Sequence, residues 1–495
     1  MNVPTLLRRS AERMPDKAAL LVALDPGSPC SFGRLDAESD RVARWLLAQG
    51  VTAGDRVAIA MHNCIYFAFA YFGILRAGAV AVPLNVMLTE SEVETLLADC
   101  GSVALLVAGP FGEVAATAAR RYGIDAIGDA SAWDELGPPD GRAVDPTVGE
   151  DDLAVLAYTS GTTGQPKGAM LTHGNLLANL EQQMAIPEAH VTQDDVLLLA
   201  LPLFHIYGLN VTLGLLVMNG ATGVILERFD PLATLQLIQN VKVSVLFGAP
   251  PMYVAWSSAA VGDGYDLSSI RLAVSGAAPL PPEILLGFKD RFGIDIYEGY
   301  GLTETAPTIT SNRMAEEPRP GSVGKPLPQV ELELIGEDGR TVELGDPGEV
   351  VVRGPNVFQG YWNQPDETNK VLVDGWFHTG DVAVKDEDGY IYLVDRKRDL
   401  IIVSGFNVFP SEVEQALIQH DRVQEAAVIG IPHDYSGEAV KAYVVLEPGA
   451  HIDATDLLAD LRGRLARFKC PETIEFVERL PHLLSGKVLR RALRT

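Results

Sequence analysis

Tyr158-Thr-Ser-Gly-Thr-Thr-Gly-Gln-Pro-Lys-Gly-Ala-Met-Leu-Thr-His-Gly-Asn175 follows a short apolar run, residues 153–157, and precedes a helical pattern beginning near Asn175. The apolar run reads as a buried strand. Up to Gly168 the stretch holds three glycines (Gly161, Gly164, Gly168), four aliphatic hydroxyls (Thr159, Ser160, Thr162, Thr163) and one lysine, Lys167. Glycine permits positive φ, so successive backbone N–H groups of such a loop can turn toward one point. Hydroxyls and an ammonium around that point suit the oxygens of a polyphosphate. A flexible linker is not ordinarily led in by a buried strand and closed by Pro-Lys-Gly. The Walker spacing, Gly-x-x-x-x-Gly-Lys-Ser/Thr, is absent.

Working outward, strand-like and helical runs alternate on both sides of this loop. Residues 6–14 and 35–49 carry helical spacing, the second stopping at Gly50. Strands are expected from Asp55 onward and over 79–82 and 103–107, with helices over 66–76 and 91–98. After the loop, 196–201, 222–226, 243–247, 272–275 and 294–297 read as strands, and 231–239 and 282–292 as helices. Asp230 is well placed as an N-cap. This alternation implies parallel sheets covered by helices. From about 321 to 394 the texture changes to short alternating strands between Gly/Asp turns, an antiparallel, barrel-like segment. Beyond Arg398, Ser411-Glu-Val-Glu414 reads as a capping box, and the remaining pattern is a compact α+β unit. The fold class expected is α/β: a large N-terminal domain of parallel sheets flanked by helices with a small barrel-like β segment, residues 1–397. A small mobile α+β domain, residues 398–495, comes after it.

The composition narrows the partners. A chain of 495 residues exceeds one ordinary core. Its net charge of −26 argues against non-specific nucleic-acid binding and against a basic patch for anionic membranes. Cys30, Cys64, Cys100 and Cys470 are scattered without metal or disulfide spacing, which fits a reducing cytoplasm. The N-terminus has no apolar run after its paired arginines and does not read as an export signal. The longest apolar stretch, residues 67–84, is broken by Gly73, Arg76, Gly78 and Pro83, and reads as helix, turn and strand rather than a membrane span.

Four further motifs join the loop. They are Glu298-Gly-Tyr-Gly-Leu-Thr-Glu304, Trp376-Phe-His-Thr-Gly-Asp381, Asp395-Arg396, and Ser485-Gly-Lys487-Val-Leu-Arg-Arg near the end. Together with the loop they resemble the adenylate-forming superfamily of acyl-CoA synthetases, aryl-CoA ligases, peptide-synthetase adenylation domains and luciferases. The likeness runs over nearly the whole chain and is strongest to fatty-acyl and aryl-CoA ligases. Its implications for this chain are specific. Thr159, Ser160, Gly161, Thr162, Thr163, Gly164 and Lys167 cradle the phosphates of ATP. Gly276, Ala277 and Ala278, with Glu298, Gly299, Tyr300, Gly301 and Leu302, receive the nucleotide, the tyrosine packing on adenine. Thr303 touches the α-phosphate, Glu304 and Thr159 hold Mg²⁺, and Asp381 and Arg396 reach the ribose. Lys487, on the small domain, bridges the acid and the α-phosphate.

The same likeness implies that the small domain turns about a hinge at Arg398, where many relatives carry Lys or Asp. It then presents Ser404, Gly405, Phe406 and Asn407 to coenzyme A. Cys470 stands where some relatives place an aromatic near CoA. The acid pocket is expected around His205, Tyr207, Gly208, Phe247, Gly248, Ala249 and residues 276–278, with His205 as a gate. Leu209 stands about where some long-chain relatives have a gating tryptophan. These residues include no Asp or Lys suited to anchoring an amino acid, so a fatty or aryl acid is favoured. The expected reaction is acyl-AMP and pyrophosphate from acid and ATP, then acyl-CoA and AMP, with a medium- or long-chain fatty acid first in line. Alternatives left open are a cinnamate- or benzoate-like acid, transfer to an acyl carrier protein's phosphopantetheine, and a non-catalytic acyl or nucleotide sensor. No nucleic acid and no integral membrane segment are expected; an oligomer is not excluded.

Overall fold

A computed structural model describes the chain apart from residues 24, 110–111, 125, 128–135, 137–141, 146–147, 160–165, 188–189, 258–263, 316–317, 337, 397–398, 400, 404–405, 434–436, 463, 466, 483–487 and 494–495. Packing divides it into two compact units, residues 1–331 with 352–377, and residues 332–351 with 378–495. The expected domain line at 397/398 therefore falls inside the second unit. From His378 on, the strands just before that line belong to the second unit and pair with one another: Trp376–Lys385 lies antiparallel to Ile391–Arg396.

The first unit holds two sheets. One is six-stranded, running Ala126–Ile127, Ser102–Ala108, Arg56–Met61, Val80–Pro83, Leu153–Thr159, Lys167–Thr172. It is parallel up to its last pair, an antiparallel hairpin. The apolar run at 67–84 is accounted for here. Ile65–Arg76 is a helix buried almost throughout, Phe67, Phe69 and Phe72 are at most 1 % exposed, and a turn leads into Val80–Pro83. Burying each of those rings contributes roughly 1.5–3 kcal/mol. Arg76, at the end of this helix, is buried and paired with Asp36 and Asp40.

The other sheet is nine-stranded, in the order Lys325–Pro326, Thr308–Ser311, Ile296–Gly301, Leu272–Ser275, Val245–Gly248, Val196–Leu199, Thr222–Ile225, Ala18–Val22, Asp25–Ser31. Its middle is parallel and both edges are antiparallel. The first edge pair, 18–31, had no sequence reading. Asp230 caps the Pro231–Val241 helix as expected, accepting from Ala233 N–H at 2.8 Å.

In the second unit the Val423–His433 and Gly437–Leu446 strands form a long antiparallel hairpin, and Thr473–Phe476 adds in parallel. The helices Pro410–Ile418 and Ala454–Arg462 bury Val413, Leu417, Leu457 and Leu461 in its core. The expected capping box is not formed. The N-cap is Phe409 and makes no side-chain bond, Ser411 donates to the Val394 carbonyl, and Glu414 accepts from Val428 N–H at 2.8 Å. Tertiary partners took both capping side chains. Among the described residues no helix is long and apolar enough to cross a membrane.

Candidate active site

In the parallel part of the nine-stranded sheet, the sequence-assigned residues fall at the carboxyl ends of adjacent strands. Residues 200–208 come after Val196–Leu199, Ala249 after Val245–Gly248, residues 276–278 after Leu272–Ser275, and residues 302–304 after Ile296–Gly301. Loops at that edge are where open α/β sheets bind ligands, because every strand delivers its next turn to one crevice. Two features go beyond the sequence reading. The strand read over 294–297 runs Ile296–Gly301, into the motif, and residues 207–214 form a wholly buried π-helix. Gly208 is required there: a Cβ would lie 2.2 Å from the Pro202 carbonyl oxygen. Asn210 ties this helix to the site by donating to the Ala306 carbonyl at 2.7 Å. Ala277 sits at φ +73, a conformation L-residues rarely hold, in the loop assigned to the nucleotide.

The glycine-rich loop is the tip of a hairpin, with Thr159 opposite Lys167. Ser160, Gly161, Thr162, Thr163 and Gly164 lie outside the described residues. Residues 167–172 are strand, so the loop is shorter than the sequence suggested, and Thr172 caps the His173–Met184 helix in a reciprocal bond with Asn175. Lys167 is buried, its ammonium pairs with Glu367, and it lies 5.1 Å from the centre of the Tyr361 ring. The Tyr361 hydroxyl donates to Glu304 Oε1 at 2.7 Å. The Lys167 ammonium, with Lys370, holds the Glu367 carboxyl down at about 2. Residues 359–362 are laid against the hairpin by Gln359 N–H to Met170 O (3.0 Å), Met170 N–H to Gly360 O (2.9 Å) and Trp362 N–H to Gly168 O (2.8 Å).

Tyr361 and Glu367 were missed by the sequence reading. Their only signal was the run Gly360-Tyr-Trp-Asn-Gln-Pro-Asp-Glu367, which carries no chemistry until it pairs with the hairpin. Thr303 is half-buried and Glu304 is 7 % exposed, both on a turn of 3₁₀-helix. Among the described residues no three metal-binding side chains cluster. One buried carboxylate beside the residues assigned to phosphate would fit Mg²⁺, which takes most of its ligands from phosphate and water.

Glu298 is 5 % exposed, and burial raises its carboxyl to about 7 against the backbone donors Leu280 and Gly321. It thereby ties the 276–280 loop, through Leu280 N–H at 3.2 Å, to the strand beside it. At the acyl end, His205 is open to solvent yet crowded by protein, as a residue in a recess is, and loss of hydration lowers its pKa. Tyr207, Gly208, Phe247 and Gly248 are buried and Ala249 is half-buried, Tyr207 meeting Phe247 edge-on at 6.4 Å between ring centres.

In the second unit, strand register sets Asp381 directly opposite Arg396. Asp381 is 6 % exposed, and its turn is held by Glu349, whose Oε1 accepts from Gly380 N–H at 3.2 Å. The Arg396 side chain, Arg398, Ser404, Gly405, the side chains of Phe406 and Asn407, and Lys487 lie outside what is described. The segment bearing Lys487 is closed at its base by a bridge between His482 and Val488 and by Leu489 N–H to Pro481 O at 2.7 Å. Arg490 anchors it to Glu414 at 2.6 Å.

A glycine-rich hairpin, a buried carboxylate and strand-end loops on a parallel sheet, with a second α+β unit, are the parts expected of an adenylate-forming enzyme. Residues 7–362 match the AMP-binding enzyme family and residues 412–487 match the AMP-binding enzyme C-terminal domain, and the chain belongs to that family. It is similar to a feruloyl-CoA synthase of an Amycolatopsis species, 41 % identical with 94 % of each chain covered. It is also similar to a long-chain-fatty-acid–CoA ligase of Bacillus subtilis, 37 % identical over 99 % of this chain and 94 % of the relative. Among solved structures, ATP-bound MatB from Rhodopseudomonas palustris superposes with a TM-score of 0.92 at 35 % identity, covering 100 % of this chain and 98 % of that one.

Proposed function

We propose that this enzyme joins a carboxylic acid to coenzyme A through an acyl-adenylate. In the first half-reaction a carboxylate oxygen attacks the α-phosphorus of ATP, the bond to the bridging oxygen breaks, and pyrophosphate leaves. In the second, the CoA thiolate attacks the acyl carbon and AMP departs. The observation that carries this reading is the convergence of Lys167, Tyr361 and Glu304 at the mouth of the hairpin, beside the strand-end loops. Lys167 and the hydroxyls of the loop neutralise the triphosphate, a role for charges fixed before reaction. Glu304, with Thr159, would hold Mg²⁺, which when bound draws negative charge from the phosphates. Thr303 orients the α-phosphate. Asp381 and Arg396, cross-strand neighbours, take the ribose hydroxyls.

Lys487 supplies a further cation for adenylation and is withdrawn for thioester formation, when residues 404–407 face the thiol about a hinge near Arg398. The acid is fatty or aryl, in keeping with what the relatives' names say of them, and the enzyme works in the cytoplasm. Acid-dependent ATP–pyrophosphate exchange, then AMP and a CoA thioester, is the expected outcome. Thioester on a holo carrier protein but not on free CoA would redirect the second half-reaction. No exchange with any acid would overturn the proposal.

A further inference from the structure

In the motif Trp376-Phe-His-Thr-Gly-Asp381, the residues just before the aspartate are gripped by an earlier strand, Gly348–Arg353. Glu349 lies on that strand with its side chain 11 % exposed, 29 positions before His378. It divides its carboxylate between two neighbours. Oε1 accepts from Gly380 N–H at 3.2 Å, and Oε2 lies 3.3 Å from His378 Nδ1. Thr379, between them, donates its hydroxyl to the Val350 carbonyl at 2.8 Å and accepts from Asp381 N–H at 3.1 Å. Residues 349–350 and 378–381 all belong to the second unit.

The grip falls where the backbone needs it. The ladder with Ile391–Arg396 takes in Asp381 and runs on to Lys385. Gly380, just before it, has φ +71, outside strand geometry. Glycine adopts that conformation readily but also leaves it readily, and the residue after it inherits the freedom. Two side-chain ties remove this freedom, the Glu349 carboxylate on the N–H of Gly380 and the Thr379 hydroxyl on the N–H of Asp381. Asp381 is left 6 % exposed, directly opposite Arg396. A hydroxyl or an amide would be enough merely to close a turn. A carboxylate can hold Gly380 with one oxygen and His378 with the other, so it cannot rotate off the glycine without also losing the histidine.

Resting on the reading of Asp381 as the acceptor of the ribose hydroxyls, we propose that Glu349 is the positioning residue for that carboxylate and thereby sets the preference for a ribonucleotide over a deoxyribonucleotide. It acts through the Gly380 N–H. With the turn held, both oxygens of Asp381 keep the direction in which two vicinal hydroxyls can donate to them. Such bonds to a charged acceptor are strong and directional, and they weaken when the group behind the acceptor is loosened. His378 completes the grip by fixing the second oxygen of Glu349.

The test compares ATP with 2′-deoxy-ATP in acid-dependent pyrophosphate release, read as the ratio of kcat/KM. The wild-type enzyme is expected to favour ATP by about tenfold or more, since a site built to bond a hydroxyl rejects the analogue lacking it. Asp381→Ala should abolish the preference. Glu349→Ala should lower the ratio by about threefold or more, through KM for ATP, with KM for the acid and the Mg²⁺ titration unmoved. Added to Asp381→Ala it should change the ratio no further, because the two act as one unit. Glu349→Gln keeps an acceptor for Gly380 and should restore most of the ratio. Thr379→Val removes the other tie, should lower the ratio in the same direction, and stands in where Glu349→Ala fails to give a cooperative thermal melt. A ratio unmoved by Glu349→Ala and Thr379→Val, in an enzyme where Asp381→Ala abolishes it, would overturn the inference and leave the ribose reading standing. Equal losses with both nucleotides would overturn it too, as the mark of a merely structural tie. A preference that survives Asp381→Ala would sink the ribose reading and the inference with it, and no pyrophosphate release from either nucleotide would sink the ligase reading as well.

Discussion

At the hairpin end of the proposed site, Lys167, Glu367, Tyr361 and Glu304 are linked by an ion pair, a cation–ring contact and a hydrogen bond. At the end proposed for the acid, Ala249, Gly276, Gly299 and Ser311 offer almost no side chain, and Tyr207 keeps a hydroxyl without a partner among the described residues. Both ends hang from the same two sheets, so the difference lies in what the positions were filled with. A triphosphate is the same in every turnover, and its charges can be met by a network fixed in advance. At the other end, glycine and other small residues leave room rather than charge.

The comparison breaks hardest if the phosphate end is complete without the second unit. Lys487→Ala should lower acid-dependent ATP–pyrophosphate exchange by about 10³-fold, the upper end of what one preorganised donor contributes. Conversion of supplied acyl-AMP and CoA to thioester should stay largely intact. Equal losses in the two half-reactions would mean that Lys487 is no adenylation-specific cation.

Next in size is Glu304→Gln, which keeps shape and removes charge. Exchange should fall about 10²-fold, and the Mg²⁺ concentration needed for half-maximal rate should rise. An unchanged Mg²⁺ titration would remove Glu304 from the metal site. Tyr361→Phe is smaller: it removes one donor from Glu304 at 2.7 Å and leaves the ring under Lys167. A rise of about threefold to tenfold in KM for ATP is expected, at the scale of one hydrogen bond to a charged group. An effect on the acid's KM instead would show that the two ends are not separable.

How much of this was legible obeys the same division. Short strands, helices and the order of motifs could be read because local pattern and global fold agree there, as at Leu272–Ser275 and Pro282–Phe292. Lys167, Glu304 and Asp381 were singled out because each sits in a motif whose residue types are dictated by charge, and the structure buries all three. Tyr361 and Glu367 could not, because they act through pairing with residues far away in the chain, Glu367 with a lysine 200 positions before it. The Ser411/Glu414 pair has the spacing of a capping box, but Val428 and Arg490 compete for Glu414 and win. The partly open face at Gly299 was invisible for a different reason. A glycine in a nucleotide motif says nothing about which face is open until the register with Ser311 is known.

The two faces of the Ile296–Gly301 strand allow the smallest and most specific prediction. Gly299 lies on a partly open face; Glu298, its neighbour, faces a buried side where its carboxyl is raised to about 7 from an ordinary 4.5. A carboxyl with a raised folded-state pKa keeps its proton while the unfolded chain loses it. Stability therefore falls as pH rises from about 4.5 to about 7 and levels above that, by about 3 kcal/mol for a shift of this size. Glu298→Gln removes the titration but keeps an acceptor for Leu280 N–H. Between pH 5 and 8 the variant should lose less stability than the wild type, read by urea melts at each pH. Parallel stability–pH curves for the two proteins would show that Glu298 titrates normally, and that the buried face of this strand is as open to water as the face behind it.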